Sequence, residues 1–271
     1  MNIIKQHKSV KIIAGILAAI FLSAAFAPLI TPHDPVHINL DDVKQPPSLK
    51  YPFGTDTKGR CVFSRVVYGA RVSLLVGLTA TVCAFFFGVF LGSVAGYFGG
   101  LIDKIVTFLV DITLSVPGLL LAIAITVVFE PGIVTVLIAL CTIGWASFAR
   151  LARSSIISIK EKDFVVSAIA MGSSRRRVLI RHLIPNIIPL MLVAATLRIG
   201  GFILGEASLS FLGLGVRPPQ PTWGGMISSS VNYIQSAPWI AIFPGVAIAI
   251  TILCFNLLGD IVRDYCDPKM K

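Results

Sequence analysis

Residues 163–185 read DFVVSAIAMGSSRRRVLIRHLIP, a basic and polar interruption in the carboxy-terminal half of a very apolar chain. Apolar segments long enough to cross a bilayer lie on both sides of it. Within it, Phe164, Ala168 and Met171 recur at helical spacing. Gly172, Ser173 and Ser174 break the pattern, and Val178, Leu179 and Leu183 resume it up to Pro185. The spacing predicts two short helices, the first from Asp163, joined at a glycine, because glycine adopts backbone angles that other residues avoid. Arg175, Arg176, Arg177 and Arg181 mark the stretch as cytoplasmic, since basic residues accumulate in loops on the inner side. Two roles stand side by side. A short bent helical pair suits docking into a groove on a soluble partner. A basic loop equally suits contact with anionic lipid.

Composition sets the class. Of 271 residues, 55% are hydrophobic and 13% charged, with a mean hydropathy of +0.87. Soluble domains carry roughly 25% charged residues, so the chain is an integral membrane protein. Apolar runs of about twenty residues indicate an all-α architecture and not a barrel. The formal charge of +10 could point to nucleic acid, but most Lys and Arg sit where a positive-inside topology places them, and no nucleic-acid motif occurs. Cys61, Cys83, Cys141, Cys254 and Cys266 lack metal or redox spacing and read as small apolar residues. No G-x-x-x-x-G-K-[ST] loop is present to hold ATP phosphates. Any dependence on ATP must come from another chain.

Six spans are expected. Residues 1–30 hold Lys5, Lys8 and Lys11 and then a first apolar run from Ile12 to Ile30. Ala25-Phe26-Ala27 resembles a signal-cleavage site, but Pro28 behind it disfavours cleavage, so the run reads as an uncleaved span. Residues 31–71 form an outer segment. Its first part is rich in Pro and Asp, where Pro32 and Pro35 make His33 and His37 loop residues and not a helical metal pair. From Gly59 to Arg71 the pattern suits a short amphipathic helix along the outer interface, with Arg60, Ser64, Arg65 and Arg71 on its polar side. The membrane core, 72–260, then holds spans at about 72–97, 101–129, 133–149, 186–212 and 238–258. Pro117 should bend the third, because proline removes a backbone donor and clashes with the preceding turn. Trp223 and Trp239 suit interface anchors. A polar tail, 261–271, carries Arg263, Lys269 and Lys271. Both termini and the 163–185 stretch then lie inside. Charge agrees, with eight basic residues from Arg150 to Arg181 against Arg217 alone in the outer 213–237 segment. The six Lys and Arg of residues 31–71 run against it.

Five blocks of this sequence resemble the inner-membrane permeases of bacterial ABC importers for dipeptides, oligopeptides and nickel, specifically the second, C-type permease of the pair. They are FGTDTKGRCVFSRVVYGARVSL (53–74), LVDITLSVPGLLLAIAI (109–125), the 163–185 stretch, GGFILGEASLSFLGLGVRPPQPTWGGMI (200–227) and FNLLGDIVRDYCDP (255–268). The third occupies the place of the family's cytoplasmic E-A-A-x-x-x-G motif, here reading Val166, Ser167 and Ala168 with Gly172 in place and Ile184-Pro185 at its close. Cys61 stands where the family usually has Asp. The resemblance implies a type I importer fold with a cytoplasmic coupling helix, in the cell inner membrane. Its implied partners are a homologous permease, two ATPase subunits and a substrate-binding protein. ATP and Mg would be bound by the ATPases, and this chain would need no cofactor and catalyse nothing. Coupling to the ATPase falls by this resemblance on Asp163, Ala168, Gly172, Arg175, Arg176 and Pro185, with lipid phosphates a rival contact for the arginines.

Asp111, Arg198 and Glu206 are ionisable residues within spans. Charges at that depth cost roughly 2.5–3.5 kcal/mol on insertion scales, so they should face protein or water. At about 1.5 Å per residue, Arg198 lies about 18 Å beyond Asn186 and Glu206 about 30 Å. All three are candidates for the translocation path, with an Arg198–Asp111 ion pair as the structural alternative for Arg198. The substrate is expected to be a peptide, with nickel or a metal chelate as the alternative. A self-sufficient secondary transporter or channel is the rival from another class. It would be built on internal repeats, and the sequence shows no convincing one.

Overall fold

The computed structural model describes residues 3–266. The apolar runs form helices, because backbone polar groups in a bilayer must bond within their own segment. In chain order they are α1 (Ile3–Ala25), α2 (Ala27–Ile30), α3 (Val62–Phe98), α4 (Gly100–Ser115), α5 (Gly118–Val128), α6 (Ile133–Ile159), α7 (Asp163–Ala170), α8 (Arg175–Val178), α9 (Ile184–Phe211), α10 (Trp223–Ser230) and α11 (Trp239–Cys266). A single π turn, Leu179–Leu183, joins α8 to α9. Of the tail expected over 261–271, residues 261–266 complete α11, while Lys269 and Lys271 lie outside the described residues.

Among the described residues, four helical stretches are long and apolar enough to cross a membrane: α3, α6, the run 175–211, and α11. Counting the α4–α5 pair as one broken span makes five. The sequence reading gave six, and the difference lies in α1, whose apolar part is Val10–Ala25, and in the α4–α5 break. Pro117 does more than bend the third span: the two helices meet at 92°. The separate interfacial helix expected over 59–71 is instead the first turns of α3, continuous with the second span. Its basic side is not a free polar face either, since Arg60 and Arg65 are buried.

The centre of the molecule is the crossing of α3 and α6, set by glycines at four-residue spacing in GVFLGSVAG (88–96). A β-carbon on Gly92 would stand 2.2 Å from the Ala149 carbonyl oxygen, and one on Gly88 2.4 Å from that of Trp145. Only glycine lets the two backbones approach this closely, as in the small-residue interfaces of membrane helices. Helix α9 packs on α3 and α11, where Ile199, Ile203 and Phe255 share a core with Ile13 and Leu17 of α1.

Residues 31–61 are held by named polar contacts. Lys50, Tyr51 and Asn39 all donate to one oxygen of Asp42, at 2.9, 2.7 and 2.9 Å. His33 lies against the Tyr51 ring in non-helical chain. Asp56 receives Arg60 at 2.7 Å and lies 3.5 Å from Arg65, which also donates to the Pro35 carbonyl at 2.8 Å. Arg71 donates to the Ala24 and Ala25 carbonyls, which the end of α1 leaves without helical partners. Four of the six basic residues in this segment, Lys50, Arg60, Arg65 and Arg71, are therefore spoken for within the chain, which removes much of their force as a topology signal. Cys61 occupies the N-cap of α3 and makes no side-chain cap bond. An aspartate at that position would accept from the first turn of the helix. The two tryptophans expected as interface anchors are internal ties: Trp223 donates to the Val66 carbonyl at 3.0 Å and Trp239 to that of Thr55 at 3.1 Å.

Candidate functional site

The 163–185 stretch forms the two-helix turn its sequence suggests. Val165 shares a core with Ile156 of α6 and with Val178, Leu183 and Ile187, and Ala168 is also buried. Phe164 and Met171, which recur with Ala168 at helical spacing, are exposed, Met171 by 81%. The rest of the α7 surface is exposed, and it carries Phe164 and Met171 on one flank of the buried strip and Val166 and Ile169 on the other.

Helix α7 ends in a complete Schellman motif. Ser173 donates its backbone N–H to the Ala168 carbonyl at 3.1 Å and Gly172 to that of Ile169 at 2.9 Å. Gly172 adopts φ +84°, and nothing lies within 4 Å of where its β-carbon would be. Its requirement for glycine is thus one of backbone angle and not of space. Ser174 then caps α8 by accepting from the Arg177 N–H at 3.4 Å. Arg175, Arg176 and Arg177 occupy the first turn and are exposed. Cations at a helix N-terminus oppose the helix dipole, so their placement does not serve the helix itself. Asp163, in the first turn of α7, is favourably placed on the same argument.

The second helix does not stop at Pro185. The run 175–211 is one helical stretch, and Pro185 lies in the first turn of α9, just after the π turn. A π turn loosens the local ladder where proline supplies no N–H. Asn186 Nδ2 helps by donating to the His182 carbonyl at 2.6 Å. The turn therefore connects rigidly to α9, which carries two of the three in-span ionisable residues.

Those residues are not brought together. Asp111 pairs with Arg150 at 2.7 Å, not with Arg198, and both partners are more than half exposed. A second α4–α6 pair joins Asp103 to Arg153, one of its contacts being 2.7 Å. Glu206, expected to line the path, is fully enclosed, accepting from Ser73 at 2.9 Å and Ser210 at 2.7 Å. Arg198 borders a cavity of about 270 Å³ between α5, α6 and α9, beside Gly118, Ala122, Gly201 and Gly205. A second cavity of about 480 Å³ adjoins it through Leu119, Leu204 and Ser208.

The broken span, the close α3–α6 crossing and the turn carried on α9 define an ABC-transporter permease fold. A chain of the MetNI methionine ABC transporter, solved in inward-facing conformations, superposes with a TM-score of 0.62 at 20% identity, over 74% of this chain and 96% of that one. The chain belongs to the family described as "Binding-protein-dependent transport system inner membrane component", which matches residues 88–271. Residues 2–47 match the "N-terminal TM domain of oligopeptide transport permease C". Among curated relatives, the dipeptide transport system permease protein DppC of Alkalihalophilus pseudofirmus is 43% identical over 99% of this chain and 88% of its own length. The glutathione transport system permease protein GsiD of Pectobacterium atrosepticum is 37% identical over 99% and 89%. DppC of Bacillus subtilis is 37% identical over 99% and 84%. The protein is thus a multi-pass inner-membrane permease component, a transport subunit and not an enzyme, of a family that carries no cofactor. Its system includes an ATPase and a binding protein.

Proposed function

We propose that this chain is one of two homologous permease subunits in a type I importer for short peptides. Counting α1 and the broken α4–α5 pair as spans gives six, with both termini and the α7–α8 turn in the cytoplasm, where two ATPase subunits bind. ATP binding draws the ATPases together, the turn transmits that movement along α9, and the permease pair changes from inward- to outward-open. The peptide assignment rests on the relatives named for dipeptide and glutathione transport. The observation that carries the coupling reading is the turn itself: a short helix with four exposed apolar residues on its two flanks, closed by a left-handed glycine, at the end of a helical run that borders the cavity. A helix exposed and apolar on both flanks suits a groove on a protein partner, which contacts more than one side of it, better than a flat phosphate surface. The flanking arginines at 175–177 remain free to meet acidic side chains or lipid.

The test is reconstitution into liposomes. The complete system with its binding protein should take up a labelled dipeptide only when ATP is supplied on the ATPase side. This chain alone should give no flux. Flux through the chain alone would instead assign a self-contained channel or secondary transporter.

A further inference from the structure

We infer that Arg198 is a specificity-determining residue that receives the terminal carboxylate of the peptide as it passes. The inference rests on the peptide-permease reading above.

Arg198 lies midway along α9, at the depth where an unpaired charge costs most. Its guanidinium stays protonated at any accessible pH, so the cost is not relieved by loss of a proton. Its contacts within the chain are neutral. Nη2 donates to Ser147 Oγ at 2.8 Å, and the group lies 5.6 Å from the centre of the Phe202 ring. Its buried Nε has no acceptor. Among the described residues no carboxylate pairs with it: Asp111 is held by Arg150, and Glu206 by Ser73 and Ser210. The chain thus holds a cation at membrane depth, stacked on an aromatic face and hydrogen-bonded by a hydroxyl, without a counter-ion of its own.

The surroundings say what anion would fit. Arg198 is the one charged residue among those lining the 270 Å³ cavity, and the adjoining 480 Å³ cavity has no charged lining residue. The other walls are glycine, alanine and aliphatic side chains, with Phe202 and Ser208. Such walls are tolerant of side-chain shape, while an arginine fork reads a carboxylate by paired hydrogen bonds. The carboxylate is the group that peptides of any sequence share. No acidic residue lines either cavity, so the peptide amine goes unread by this chain.

The experiment uses the assembled permease–ATPase complex without binding protein, so that the binding protein's own selectivity does not enter. Saturation-transfer NMR measures binding of alanyl-alanine, its C-terminal amide and its N-acetyl derivative. The wild-type complex should bind the acid about tenfold or more tightly than the amide, as expected when a charge-assisted pair is lost, and should not distinguish the N-acetyl form. Arg198→Gln should bring the acid-to-amide ratio close to one. Gly201→Asp keeps the arginine and sets a carboxylate one helical turn from it, in space where a β-carbon meets nothing within 4 Å. It should abolish the preference in the same way. An equal affinity for acid and amide in the wild type, or an unchanged preference in either variant, overturns the assignment. If Arg198→Gln dissociates the permease pair while Gly201→Asp keeps the preference, the arginine belongs to a carboxylate of the partner permease and the assignment fails. Absence of dipeptide uptake by the complete wild-type system would sink the peptide reading itself, which these binding ratios do not decide.

Discussion

At Gly172 the backbone holds φ +84° in open space, so a substitution there is judged by its backbone alone. A non-glycine residue in the left-handed region costs about 1–2 kcal/mol, and asparagine bears it better than β-branched residues. Gly172→Asn should therefore keep uptake near the wild-type rate. Gly172→Val should leave the protein inserted and the ATPase active while uptake falls at least severalfold, as measured by paired uptake and hydrolysis assays in one preparation. Equal uptake by the two variants would show that the turn's angle is not what matters. This glycine was legible because its signal is local: an apolar rhythm that breaks and resumes. Glu206 was not. Its partner Ser73 is 133 residues away in sequence, and nothing near Glu206 announces the contact. The Asp111 pairing was misread for a related reason. Opposite charges in two spans admit several pairings, and the α4–α6 contact chooses Arg150.

Among the helices, the α3–α6 crossing sets the positions of the rest. Gly92→Leu would drive a side chain into the Ala149 backbone, which cannot yield without separating the helices. The expected loss is about 3 kcal/mol or more, beyond ordinary overpacking, seen as a lowered melting temperature of the purified complex. Gly15→Ala makes the contrast: its β-carbon meets nothing within 4 Å, and alanine favours the helix by about 0.5–1 kcal/mol, so stability should hold or rise. Similar melting shifts for the two would contradict the close-packing account. The glycine repeat is visible in the sequence, but its consequence depends on which helix lies opposite. The spans other than the first were legible from apolar length, as was a bend at Pro117, though not that the helix breaks there. Its 92° angle was not, because direction after a break is set by the neighbours that α5 meets on α6. The outer helix over 59–71 merged with α3 because Asp56 draws Arg60 and Arg65 inward, and helical periodicity alone does not distinguish buried arginines from exposed ones.

For the whole molecule, stability and transport should respond separately to acid. The Asp42 carboxyl is held below its usual range by hydrogen bonds from Lys50 and then Tyr51. A lowered folded-state value gives stability that is present above about pH 4, the unfolded-state value, and is lost as pH falls through the folded one. Melting of the wild-type complex should be insensitive to Asp42 between neutral pH and about pH 4 and decline below it. Asp42→Asn should be less stable at neutral pH and lack that part of the acid decline. An identical acid limb in the variant would remove Asp42 from the account. The larger claim is that this permease receives its drive through the α7–α8 turn, on the cytoplasmic side. The most direct measurement is labelling of Met171→Cys, in a chain with Cys83 and Cys266 replaced by Ala, by a membrane-impermeant maleimide. The account predicts reaction in inside-out vesicles stripped of ATPase, protection when the ATPase subunits are bound again, and none in right-side-out vesicles. Labelling from the outside, or labelling that bound ATPase leaves unchanged, would contradict it.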